Sequence, residues 1–194
     1  QEYDSIAMQQ WHSSKLLSQL ILSIPELVRD KTVIELGSGY HGSVVLAASY
    51  AGAKSALATD SEEKAVGLCR ENLAANQPHC AGAAHIDWSR LESCSLGQFD
   101  VVLGADLVYM KRMCKPLAAA IQYFLKPGGL VLLVCPNSLA RDGIEELGPQ
   151  LNAIGSLCCT VVPVSEPFAR AGNQYDCYIV RCHAWGDFSL EEMD

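Results

Sequence analysis

Five short β-rich runs, Thr32–Leu36, Ser55–Asp60, Ala83–Asp87, Phe99–Ala105 and Leu130–Val134, alternate along the chain with segments of helical periodicity. Strands that alternate with helices pair side by side as a parallel sheet, because each helix is the crossover that carries the chain back to start the next strand. Two further β-rich runs, Ser156–Val164 and Gln174–Cys182, have only a loop of Pro, Gly and Asn between them. No crossover helix fits there, so these two should lie antiparallel. The expectation is an α/β fold of seven strands, a parallel sheet that ends in a C-terminal antiparallel β-hairpin.

The helical segments carry their own signals. A helical pattern runs through Ser14–Leu22, ahead of the first strand. Ala65, Leu68, Cys69 and Leu73 keep one helical face apolar; Ser61 reads as the N-cap of that helix, Glu62 and Glu63 as its acidic first turn, and its end falls near Asn76–Pro78. A second helix is expected from about Pro116 to Leu125, stopped by Lys126-Pro-Gly-Gly129, and a third from the spacing of Ile144, Leu147, Leu151 and Ile154. With 194 residues, 49% of them hydrophobic, the chain suits one domain over 1–194. Within it, 1–30 is an N-terminal helical segment, 31–135 a ligand-binding core, and 136–194 a helix followed by the hairpin.

Charge and cysteine usage narrow the function classes. The formal charge of −8, with Lys and Arg scattered along the chain, repels a phosphate backbone and leaves nucleic acid an unlikely partner; a basic protein fits better. The nine cysteines lie mostly in apolar runs, no C-x-x-C pair occurs, and Cys158 and Cys159 would face opposite sides of a strand, so reduced core thiols are expected and no metal site. No apolar run reaches the roughly 18 residues that span a bilayer. The chain reads as soluble and intracellular, in the cytoplasm with the nucleus as the alternative. It opens on Gln1 rather than Met, so flanking segments stay an open matter, and the acidic end at Glu191, Glu192 and Asp194 reads as solvated.

The first strand runs directly into Gly37-Ser-Gly-Tyr-His-Gly42 and then the helical Ser43–Tyr50. Glycines let the backbone turn sharply against a ligand, and the helix N-terminus offers unpaired N–H groups to an anionic group. Asp60, at the end of the second strand, can accept hydrogen bonds from both hydroxyls of a ribose. That much suits NAD as well. Three features favour S-adenosylmethionine. Glu35 stands two residues before Gly37, and a negative charge suits an ammonium and a sulfonium but opposes a pyrophosphate. The third strand ends in His85-Ile-Asp87-Trp88, where an adenine can be hydrogen-bonded and flanked. The terminal hairpin departs from dinucleotide-binding dehydrogenases. Taken singly, Glu35 could be a structural acceptor, Asp60 a helix cap and Trp88 an apolar filler.

The fourth strand continues into Asp106-Leu-Val-Tyr109. With Trp11, the E-L-G-x-G loop, the acidic end of strand two and Asp87-Trp88, this segment resembles the D-x-x-Y motif of the seven-β-strand protein-lysine methyltransferases grouped as family 16, over about Trp11 to Cys182. The resemblance implies the Rossmann-like seven-stranded methyltransferase fold and S-adenosylmethionine as cofactor, with S-adenosylhomocysteine as product. It places Glu35, Gly37 and Gly39 at the methionine part, Asp60 at the ribose, Asp87 and Trp88 at the adenine, and Trp11 where it helps close the pocket, with Ser38, Ser61 and Ala105 also among the cofactor-binding residues. Asp106 and Tyr109 would face the acceptor amine as the catalytic pair. One departure is His41, where the family has glycine two places after Gly39; its β-carbon would narrow the methionine end.

The leading expectation is an enzyme, an N-methyltransferase that transfers methyl to a lysine side chain of a protein partner, with His12, His79, His85 and His183 as surface or core residues. The alternatives are a methyltransferase acting on a small molecule or another protein side chain, a non-catalytic cofactor-binding paralogue, and an NAD-dependent oxidoreductase, which lacks any Ser-x-Tyr-x-x-x-Lys set here. A monomer with no membrane contact is expected. Acceptor choice would rest on the loops Tyr40–Ser43, Val108–Cys114 and Pro167–Gln174.

Overall fold

The computed structural model describes residues 6–137, 141, 143–164 and 175–182. Helix α1 (His12–Ser23) precedes strand β1 (Thr32–Leu36), α2 (Ser43–Tyr50), β2 (Ser55–Asp60), α3 (Glu63–Asn76), β3 (Ala81–His85), β4 (Phe99–Ala105), α4 (Cys114–Phe124), β5 (Leu125–Pro136), α5 (Leu147–Asn152), β6 (Leu157–Pro163) and β7 (Tyr175–Cys182). The seven strands form one sheet in the order β3-β2-β1-β4-β5-β7-β6. The pairs β3–β2, β2–β1, β1–β4 and β4–β5 are parallel. The pairs β5–β7 and β7–β6 are antiparallel, so β7 inserts between β5 and the edge strand β6.

Strands buried on both faces read as near-continuous apolar runs, and β1, β4 and β5 do. Along β4, Val101, Leu103 and Ala105 join the core on one face of the sheet, while Val102 joins the core on the other. That is the alternation a pleated strand imposes. The first face packs Leu16, Leu17 and Ile21 of α1, Val44, Val45 and Ala48 of α2, and Cys69 and Leu73 of α3. The second packs Leu117, Ile121 and Phe124 of α4 and Leu147 and Leu151 of α5. Chain order reverses between β1 and β4, the point where a doubly wound sheet opens a crevice at the carboxyl ends of its strands.

Four local expectations are corrected. The third strand is Ala81–His85, two residues earlier than read, and Asp87 instead caps a 3₁₀ turn over Trp88–Ser93 by accepting the Ser89 N–H at 2.8 Å. Helix α3 takes Glu62, not Ser61, as its N-cap; Glu62 makes no side-chain cap bond, and the Asp60 carboxylate accepts its N–H at 3.0 Å just ahead of the helix. Strand β5 reaches back to Leu125, with a register shift against β4 across Lys126–Gly129 in place of a plain helix stop. The helix read from Ile144 to Ile154 is a 3₁₀ turn, Ile144–Glu146, running into the short α5. The Pro167–Gln174 loop, His183 and the acidic tail lie outside the described residues.

Candidate functional site

The turn after β1 is held open by glycine for a physical reason. Gly39 has φ +59°, and a β-carbon there would stand 2.8 Å from the carbonyl oxygen of Ala7. The Tyr40 N–H donates to that same carbonyl at 3.1 Å, so the N-terminal 3₁₀ turn Ile6–Met8 lies directly over the loop. Gly42, also left-handed at φ +61°, is the N-cap of α2, and a β-carbon there would meet Cys69 Sγ at 2.8 Å. The left-handed residue therefore sits one place later than the family pattern, and His41 keeps ordinary backbone. Its ring lies 3.9 Å from that of Tyr40. Burial, then the charge of Lys15, hold His41 below the usual histidine range.

A cavity of about 460 Å³ opens at the carboxyl ends of β1, β2 and β4, within the range of roughly 300–1,000 Å³ typical of small-molecule sites. Of the residues singled out from sequence, Trp11, Gly37, Gly39, Asp60, Ser61, Asp87, Trp88, Ala105, Asp106 and Tyr109 line it. They come from α1, three strand ends and the turn after β3, brought together by topology alone. Among the described residues that line the cavity, Asp60, Glu62, Asp87 and Asp106 are acidic and none is Lys or Arg.

Glu35 and Ser38 do not line it. Glu35 is 2% exposed and lies under the loop, where its carboxyl accepts the Val45 N–H at the start of α2, while Oε2 has no hydrogen-bond partner. Burial, opposed by that amide and reinforced by the charge of Asp60, pushes its pKa up to about 8. Ser38 turns its hydroxyl to the Gly39 carbonyl, and its N–H donates to Thr59 O at 2.9 Å. His41 is also absent from the lining.

Asp60 is shared between loop and ligand space. Oδ2 accepts the Gly39 N–H and Oδ1 the Glu62 N–H, both at 3.0 Å; a carboxylate offers about four lone-pair sites, so acceptor capacity remains for a ligand. Asp87 accepts the Ser89 hydroxyl and N–H, which together hold it below the usual carboxylate range. Asp106 has φ +55°, a left-handed conformation uncommon outside glycine, and its N–H donates to Val134 O at 2.9 Å. Backbone held in such a conformation by its surroundings is frequent at functional sites.

Sequence reasoning passed over several residues the fold brings here. Ala7, Gln9, Leu107, Met113 and Pro116 also line the cavity. Leu107 stands inside the D-x-x-Y motif, which was a signal; the others follow only from packing. Arg141 was missed as well: its Nε donates to Asp106 Oδ1 at 3.0 Å and one terminal nitrogen to Oδ2 at 2.9 Å, and its guanidinium lies 5.4 Å from the centre of the Trp11 ring. No metal-ligating cluster occurs among the described residues, and no described helix is long and apolar enough to cross a membrane.

Comparison with known proteins adds the family. Residues 1–143 match a family described as lysine methyltransferase. The chain is 30% identical over 151 residues, 75% of its length, to calmodulin-lysine N-methyltransferase of Arabidopsis thaliana. It is 30% identical over 84% of its length to protein-lysine N-methyltransferase EFM3 of Chaetomium thermophilum, and 30% over 68% to protein N-lysine methyltransferase METTL21A of Mus musculus. It spans 50%, 51% and 62% of the lengths of these relatives. Among solved structures, ribosomal protein L11 methylase from Lactobacillus delbrueckii superposes with a TM-score of 0.65 at 22% identity, covering 94% of this chain and 90% of that one. SMU.776, complexed with S-adenosylhomocysteine, gives 0.68 at 12% identity, covering 89% of this chain and 50% of that one. These likenesses show the Rossmann-like methyltransferase fold, and the matched family shows that this chain belongs to the lysine methyltransferases.

Proposed function

We propose that the chain binds S-adenosylmethionine and transfers its methyl group to a lysine side chain of a protein. The observation that carries this reading is the sign of the cavity wall: Asp60, Glu62 and Asp87 bring carboxylates, no Lys or Arg is among the described lining residues, and a fourth carboxylate, Asp106, is paired with Arg141. Such a wall attracts a cationic cofactor and a cationic acceptor and repels the pyrophosphate of a dinucleotide. The orphaned, buried Oε2 of Glu35 beneath the loop and the place of Gly37 and Gly39 on the cavity wall fit an adenosyl amino acid seated on that loop.

When bound, the cofactor supplies a methyl carbon already activated by a sulfonium. The task of the chain's own residues is then alignment. Asp60 and Ser61 hold the ribose, Asp87 and Trp88 the adenine, and Gly37 and Gly39 the methionine part, with Ser38 bracing the turn and Glu35 acting from below by tying the loop to α2. Trp11 and Ala105 close the wall. Asp106 and the ring and hydroxyl of Tyr109 face the acceptor, which must arrive without its extra proton because an ammonium nitrogen has no lone pair to give. Protein-lysine activity in the named relatives supports a protein acceptor, and the acidic surface favours a basic one. We place the protein in the cytoplasm or nucleus, as a monomer that engages neither nucleic acid nor membrane.

Two measurements test this. Calorimetric titration with S-adenosylmethionine, alongside NAD and NADP, should give micromolar binding for the first alone. Tritiated S-adenosylmethionine with a cell extract should label protein at lysine, with purified calmodulin as one defined candidate. A labelled small metabolite would redirect the reading to a small-molecule acceptor, and binding without any label to a non-catalytic role.

A further inference from the structure

The Asp106 carboxylate lines the cavity with a partner already in place. Both oxygens are engaged by Arg141, and only 4% of the Asp106 side chain is exposed. Arg141 is not among the residues lining the cavity, although Asp106 and Trp11, the two it touches, both are. The guanidinium touches both and so joins the acceptor side to the cofactor side through one planar group. Arginine suits that task, since its fork meets a carboxylate with two parallel hydrogen bonds while its face stacks on an indole.

The chemistry at the acceptor needs such a partner. Transfer begins with the acceptor nitrogen giving one proton to water; its lone pair then takes the methyl carbon, and the donor's sulfur keeps the bonding pair. A lone carboxylate beside that nitrogen would stabilise the ammonium form, the one that cannot react. Resting on the lysine-acceptor reading above, we propose that Arg141 is a positioning residue that cancels the charge of Asp106 at the acceptor seat, letting the carboxylate align the amine without holding it protonated, and that fixes Trp11 against the same wall.

Other charged and titratable groups around the seat do not serve this purpose. Across the cavity stand Asp60, Glu62, Asp87 and Tyr109, three of them further carboxylates that would deepen the bias toward ammonium. On the β5 and β7 side are Cys135, whose thiol burial pushes up to about 12, and Tyr175, with the His12 ring tilted against it at 5.4 Å. Among these described neighbours Arg141 alone brings a fixed positive charge.

The experiment measures initial label transfer from saturating tritiated S-adenosylmethionine into the proteins of a cell extract, from pH 6.5 to 10, for the wild type, Arg141→Met, Arg141→Gln and the double variant Asp106→Asn/Arg141→Met. Removing the charge should lower the rate at pH 7 about tenfold and move the midpoint of its rise with pH upward by about one unit. Arg141→Gln, which keeps a hydrogen-bond donor beside Asp106, should shift as Arg141→Met does and carries the test if that variant does not fold. The double variant, neutral again at the seat, should return the midpoint to the wild-type value at a lower rate. A purely structural role lowers the rate equally at every pH, so an unmoved midpoint in both single variants overturns the proposal. Failure of the wild type to label any protein overturns the lysine-acceptor reading and this inference with it.

Discussion

The Gly39 N–H donates to Oδ2 of Asp60 at 3.0 Å, which ties the glycine turn after β1 to the end of β2. The other carboxylate oxygen accepts the Glu62 N–H at the entry to α3. One side chain thus fixes two backbone segments that flank the cavity while keeping capacity for ribose hydroxyls. Asp60→Ala should weaken S-adenosylmethionine binding by about 1.5–3 kcal/mol, the usual worth of hydrogen bonds to a charged acceptor. Asp60→Asn should lose less, because its carbonyl oxygen can keep one of the two amides. Calorimetry on the three proteins decides it; equal affinities would remove Asp60 from the site.

Gly39→Ala should damage both fold and site. The left-handed conformation costs a β-carbon roughly 1–2 kcal/mol, and here that carbon also meets the Ala7 carbonyl at 2.8 Å. Backbone, unlike the end of a flexible side chain, cannot swing aside cheaply, so the N-terminal turn should lift off the loop. Chemical denaturation should show the stability loss and calorimetry a cofactor affinity at least tenfold weaker. Native affinity in this variant would mean that the turn over the loop is dispensable.

The parts legible in sequence were those with a strong local cause. Strands β1, β2 and β4 read to the residue because buried parallel strands are apolar runs with an abrupt glycine or carboxylate at the end. Strand β3 slipped by two because Ala81-Gly-Ala-Ala-His85 is a sheet-edge strand of small residues with little β preference, beside the more strand-like Ile86. Ser61 looked like a cap by residue type, yet Asp60 holds the Glu62 N–H and the helix begins one residue later, at Glu63. Most of the cavity wall was readable because strand ends of this topology converge. The Asp106–Arg141 pair was not: its partners lie 35 positions apart, and nothing in the spacing marks one scattered arginine among others.

Glu35→Gln should flatten the fall in stability toward alkaline pH. Burial raises the Glu35 carboxyl from an ordinary 4.5 to about 8. Between those values the unfolded chain has released a proton that the folded chain still holds, so stability falls as pH rises through this window and the loss is complete above about 8. Glutamine has the same shape and no proton to lose. Urea midpoints of the cofactor-free protein at pH 5 and pH 8 should therefore drop more for the wild type than for the variant. Equal drops would assign the pH dependence to another group.

His41→Gly separates the sequence expectation from the observed loop path. The expectation was that a β-carbon two places after Gly39 narrows the methionine end of the pocket. In the structure His41 has no left-handed backbone, its ring packs on Tyr40, it does not line the cavity, and Gly42 takes the left-handed position instead. Substitutions away from a site ordinarily shift free energies by less than about 0.5 kcal/mol, so affinity for S-adenosylmethionine should change no more than about twofold. The added glycine does loosen the unfolded chain, and a small loss of thermal stability should accompany it. A tenfold gain in affinity, measured by the same calorimetric titration, would show that the His41 side chain does constrict the methionine end after all.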